Sequence, residues 1–136
     1  MSIAYKDGYR YQLQDAVTLD TAILPPAAIE TPFLALDPEG RLTIRAGYAW
    51  DGPSGPAFHT ATILRATLVH DALCQLIGDL KRLSPDHQRA VDRLFFALCR
   101  EDGMNRFRAT YVYLTVRLFR GLVARINPTN PVRFAP

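Results

Sequence analysis

Phe33-Leu34-Ala35-Leu36-Asp37-Pro38-Glu39-Gly40-Arg41-Leu42-Thr43-Ile44-Arg45 sets two short apolar runs about a turn. The centre has Asp at the first turn position, Pro preset at the second and Gly at the last. Beyond it, Leu42 and Ile44 alternate with Arg41, Thr43 and Arg45, the period of a strand with one buried face. A β-hairpin from Phe33 to about Tyr48 is expected. Upstream, Tyr9-Arg10-Tyr11-Gln12-Leu13 alternates too, and Pro25-Pro26 punctuates this extended half.

Downstream the period changes. Ala61 to Ile77 is apolar around most of a helical circumference, as a central buried helix would be, and Gly78 is placed to end it. A second helix has start chemistry in Ser84, Pro85 and Asp86, a core stripe of Val91, Leu94, Phe95 and Leu98, and a stop at Gly103. A third is expected from about Arg106 to Arg125, with Phe107, Tyr111, Leu114, Leu118 and Leu122 as one apolar seam. Short connections should pack the three helices on each other, with the hairpin region covering one side. The expected fold is α+β: N-terminal antiparallel β hairpins followed by a three-helix C-terminal bundle. Residues 1–126 form a single domain and 127–136 an irregular tail, because Pro128, Pro131 and Pro136 cannot continue a helix.

A length of 136 residues can bury one sizeable core without disulfide or metal staples. Half the residues are apolar and a fifth charged, which excludes a disordered chain. The net charge of +3 does not by itself call for a nucleic acid, and no specific nucleic-acid motif is visible. Its distribution is uneven: after Asp102 there is no acid, while Arg106, Arg108, Arg117, Arg120, Arg125 and Arg133 follow. That pattern fits a solvated helix face, or a surface for an acidic partner. Tyr111 to Ile126 is short and broken by arginines, so no membrane span is expected. Met1 to Arg10 lacks an apolar h-region, and Cys74 and Cys99 sit in apolar helical runs. Both features suit a cytoplasmic protein with reduced, buried thiols.

Two places concentrate polar chemistry. Gly47-Tyr48-Ala49-Trp50-Asp51-Gly52-Pro53-Ser54-Gly55-Pro56 sets Asp51 and Ser54 in a segment stiffened by proline, either as a structured crossover or as a loop that aims Asp51. His70-Asp71 lies within the first helix among Leu68, Val69, Ala72 and Leu73, and Asp92 lies beside the stripe of the second. A buried carboxylate needs a partner. One solution is a salt-bridge network in which Arg65 or Arg93 neutralises the acids. The other is a divalent metal held by His70, Asp71, Asp92 and His59, with Asp51 nearby. Cys74 shares a helical face with His70, which makes a His-Cys metal pair conceivable. The order His59, His70-Asp71, Asp92 matches the ligand order of HD-type metal phosphohydrolases, at spacings too short for that fold. There is no glycine-rich nucleotide motif, no Gly-x-Ser-x-Gly elbow and no Cys-x-x-Cys pair.

Gly47–Pro56, Arg65-Ala66-Thr67-Leu68-Val69-His70-Asp71-Ala72-Leu73 and Val91-Asp92-Arg93-Leu94-Phe95 resemble the DUF1353 family, small proteins encoded mostly by tailed bacteriophages and prophages. Tyr113, Val116, Arg117, Leu118, Phe119 and Gly121 resemble its closing segment. The resemblance implies that Asp51, Arg65, His70, Asp71 and Asp92 occupy family motif positions. It also implies an infected bacterial cytoplasm or a virion as the location, and phage structural proteins as partners. Two positions depart: Cys74 stands where Tyr is expected after His-Asp-x-Leu, and His59 where relatives carry an acid. The expectation is a phage accessory protein with a metal-dependent, hydrolase-like site, in which Asp51, His70, Asp71 and Asp92 are ligands or general base and Arg65 orients a carboxylate or an anionic substrate. The alternative is a virion or assembly component whose polar cluster only holds the fold.

Overall fold

The computed structural model describes residues 5–6, 11–50 and 61–114. The hairpin forms where expected. Strand β5 (Leu34–Leu36) pairs antiparallel with β6 (Arg41–Ile44), with Leu34 opposite Ile44 and Leu36 opposite Leu42. Asp37 builds the turn. Its carbonyl accepts from Gly40 N at 2.9 Å, and its Oδ1 accepts from Glu39 N and Arg41 N at 3.0 and 2.9 Å. Gly40 has φ of +90°, and a Cβ there would stand 2.5 Å from the Thr21 carbonyl oxygen, so only glycine closes this turn.

Two more strands extend the hairpin. β3 (Val17–Asp20) pairs with β6 and β4 (Ile29–Glu30) with β5, giving the order β3-β6-β5-β4. Period-two alternation puts Val17, Ile29, Leu34, Leu36, Leu42 and Ile44 on one buried face. A smaller antiparallel sheet is made by β1 (Tyr5–Lys6), β2 (Tyr11–Leu13) and β7 (Ala49–Trp50). β7 lies inside the Gly47–Pro56 segment, of which residues 51–56, Asp51 among them, lie outside the described residues.

Helix α1 (Ala61–Gly78) seats on this second sheet. Trp50 Nε1 donates to Thr67 Oγ1 at 3.2 Å and the Tyr48 hydroxyl donates to Gln75 Oε1 at 2.9 Å, which satisfies both aromatic polar tips in the core. Gly78 is the last helical residue, but the left-handed turn beyond it is made at Lys81, with φ of 53°. A 3₁₀ turn (Pro85–His87) leads into α2 (Gln88–Glu101), and Ser84 Oγ accepts from Asp86 N at 3.2 Å, the expected cap. α2 ends on Gly103 in a Schellman motif: Met104 N donates to Cys99 O and Gly103 N to Arg100 O, with φ of +103° at the glycine. Leu94 of the expected stripe is half-buried, and Asp92 and Cys99 are buried with Val91, Phe95 and Leu98.

The third helix, α3, is described over 106–114. Here the structure corrects the sequence reading. Phe107, Tyr111 and Leu114 of the expected inward seam face solvent, and Ala109 and Val112 on the opposite side are buried. Ala109 and Val112 join the buried core cluster, together with Met104 just before the helix. Leu118 and Leu122 lie outside the described residues, as does the 127–136 tail.

Candidate functional site

α1 and α2 lie antiparallel, and three polar ties mark their contact. Arg65 meets the end of α2, His70 its middle and Cys74 its start. Helical spacing explains the alignment: His70 and Cys74 are four apart on α1, and Gln88, Asp92, Phe95 and Cys99 follow one face of α2.

The central tie is between His70 Nε2 and Asp92 Oδ1, 2.8 Å apart, with both side chains buried. Gln88 Nε2 donates to the same Oδ1 at 3.1 Å and to Cys74 Sγ at 3.5 Å. The Phe95 ring lies 5.2 Å from the His70 ring, tilted by 60°. Burial alone would pull the His70 pKa down. The hydrogen bond to Asp92, contact with Cys74 and the charge of Asp71 outweigh it and raise the value from 6.5 to about 10. The raised value favours the imidazolium–carboxylate form of the pair, a charge-assisted hydrogen bond.

Cys74 Sγ lies 3.7 Å from both ring nitrogens of His70. An imidazole nitrogen gives or takes a proton in the ring plane, along its own outward direction. A sulfur equidistant from both nitrogens lies on neither line, so this contact is packing rather than a thiol-imidazole proton relay.

The second tie is a fork. Arg65 Nε donates to Asp102 Oδ2 at 2.9 Å and Nη2 to Asp102 Oδ1 at 2.8 Å, with Glu101 Oε1 at 3.0 Å from the same Nη2. Arg65 is 6% exposed. The hydrogen bonds to Asp102 raise its pKa further, against the opposing pull of burial. Arg65 thus holds the carboxylates at the C-terminus of α2.

Asp71 is half-buried on the turn beside His70, and its charge acts on that ring. Arg93, the other expected neutraliser, is exposed on α2. Asp51 and His59 lie outside the described residues. Among the described residues no group of three or more His, Cys, Asp or Glu side chains is placed to hold a metal. Gln88, Glu101 and Asp102 were missed in the sequence. Gln88 was legible in principle, four residues before Asp92. The Arg65 partners were not, because they are 36 and 37 residues away.

A family model described as "Protein of unknown function (DUF1353)" matches residues 27–116. The chain belongs to the DUF1353 family. The match begins just before β4 and runs through the hairpin, the three polar ties and the described part of α3. No curated protein and no solved structure matches the chain. In this DUF1353 member His70 and Asp92 meet directly, while Arg65 serves a separate tie at Asp102, nearly three turns beyond Asp92 along α2. Cys74 and Cys99 are both free thiols, half-buried and buried respectively. No described helix is long and apolar enough to cross a membrane.

Proposed function

We propose that this chain is a non-enzymatic accessory component of a bacteriophage or prophage assembly, and that its His-Asp motif is a clasp joining α1 to α2. The 2.8 Å contact between His70 and Asp92 carries the reading. A general base at neutral pH must be free to accept a proton, and a metal-binding histidine must have given its proton up. A ring that is buried, with its Nε2 edge taken by Asp92 and Phe95 beside it, is poorly placed to do either. Such a pair is suited to fixing the register of two packed helices. The phage setting is inferred from the family resemblance.

Metal analysis of protein purified without a histidine tag, with mass spectrometry of particles from a lysogen encoding the chain, tests this reading. Substoichiometric metal and the chain present in particles support it. A full equivalent of divalent metal, lost in Asp92→Asn, overturns it.

One observation favours a second reading, a metal-dependent hydrolase-like site. Asp71 is half-buried next to His70 and its charge acts on that ring, so a second carboxylate lies beside the pair. In that reading Asp51 and His59 complete the ligand set, and the ion supplies a bound hydroxide near neutral pH. Asp71→Asn should then fold normally and bind no metal.

A further inference from the structure

α3 has two apolar faces and the core uses one of them. Ala109 and Val112 are 0% and 1% exposed, whereas Phe107, Tyr111 and Leu114 are 91%, 62% and 50% exposed. At about 100° per residue the three exposed side chains fall in one narrow strip opposite the buried pair. Their spacing, four and then three, is that of a coiled-coil seam, narrower than the broad face a helix lays on a membrane. Arg106 and Arg108 fall about 100° to either side of Phe107. They are the only charged residues in 106–114, and Arg106 is exposed. Exposed apolar patches rimmed by polar groups mark interaction surfaces.

The charge pattern narrows the occupant. No acid follows Asp102 in the sequence, while arginines recur. Outside the described residues the chain's only acids are Asp7 and Asp51, so its remaining segments bring little negative charge. A second copy would bring the same arginines to the seam. We propose that the outward face of α3 docks an acidic amphipathic helix of a partner protein. Apolar residues of that helix would pack on Phe107, Tyr111 and Leu114, and its flanking carboxylates would face the exposed Arg106. The proposal is independent of whether the His-Asp cluster is structural or catalytic.

The test uses the full chain and a labelled synthetic peptide with Leu at heptad positions a and d and Glu at e and g. Glu repulsion keeps this peptide unpaired alone, and it becomes helical when captured. Fluorescence anisotropy should show salt-sensitive binding, with the Lys-for-Glu peptide weaker by roughly tenfold or more. Phe107→Ser and Leu114→Ser should each weaken binding by roughly tenfold and leave the unfolding midpoint unchanged, since both side chains are exposed. Absence of binding, or equal binding by the variants, overturns the proposal. So does capture by phosphatidylglycerol vesicles without capture of the peptide, or self-association that Phe107→Ser abolishes. A lower unfolding midpoint in Phe107→Ser also overturns it, because the chain itself would then cover the seam.

Discussion

Asp92→Asn removes one charge from the clasp and keeps its shape. His70 then faces an amide in a site where both side chains are nearly inaccessible, 8% and 3% exposed. Breaking a buried, hydrogen-bonded ion pair from one side costs roughly 3–5 kcal/mol. His70 can escape part of this by losing its proton, so the expected cost is near the lower end, about 3 kcal/mol at pH 7. With a urea dependence of roughly 1–3 kcal/mol per molar, the unfolding midpoint should fall by about 1–3 M. The pH dependence gives a second reading of the same pair. The folded pKa of His70 is raised above its unfolded value, so its contribution is fully present below about 6.5 and fades as the pH rises toward about 10. The difference in stability between wild type and Asp92→Asn should therefore shrink between pH 6.5 and 10. Urea titrations at several pH values measure it. A difference below about 1 kcal/mol at pH 7, or one constant across that range, would refute the ion-pair assignment. The double variant His70→Phe with Asp92→Leu sharpens the point. If the cluster only joins helices, an apolar pair of similar bulk should recover most of the lost stability.

Arg65→Lys keeps the charge and loses the two-point fork on Asp102; a loss of about 1–2 kcal/mol in chemical denaturation is expected, and an unchanged midpoint would show that the fork contributes nothing. Gly103→Ala places a side chain at φ of +103° in the Schellman turn and should cost about 1 kcal/mol, measured the same way; a neutral result would mean that α2 ends without it. Burial, then the neighbouring Asp102, pushes the Cys99 thiol up to about 12, and its side chain is inaccessible. A thiol reagent on native protein should modify Cys74 first and Cys99 only on unfolding, and faster modification of Cys99, followed by peptide mass mapping, would contradict the packing described.

Local chemistry decided what could be read directly. Asp37-Pro38-Glu39-Gly40 specifies its turn because Asx bonding, a preset φ and a glycine act within four residues, and the alternation of Leu42 and Ile44 then fixes which face is buried. Ser84 and Gly103 bound α2 for the same reason: caps satisfy backbone groups of their own turn. The need of His70 and Asp92 for partners was also visible, since each charge sat in an apolar run. Which partner each found was not. Arg65 reaches Asp102 and Glu101 rather than Asp71 or Asp92 because antiparallel packing brings the end of α2 to the first half of α1. No short-range pattern encodes that alignment. α3 shows the same boundary from the other side. Its sequence holds two apolar strips, Phe107-Tyr111-Leu114 and Ala109-Val112, and periodicity favours the bulkier one for the core. The tertiary structure buries the smaller: Ala109 and Val112 join the core cluster with Met104 while Phe107 stays outside it, and small side chains let a helix backbone approach its close-packed neighbours.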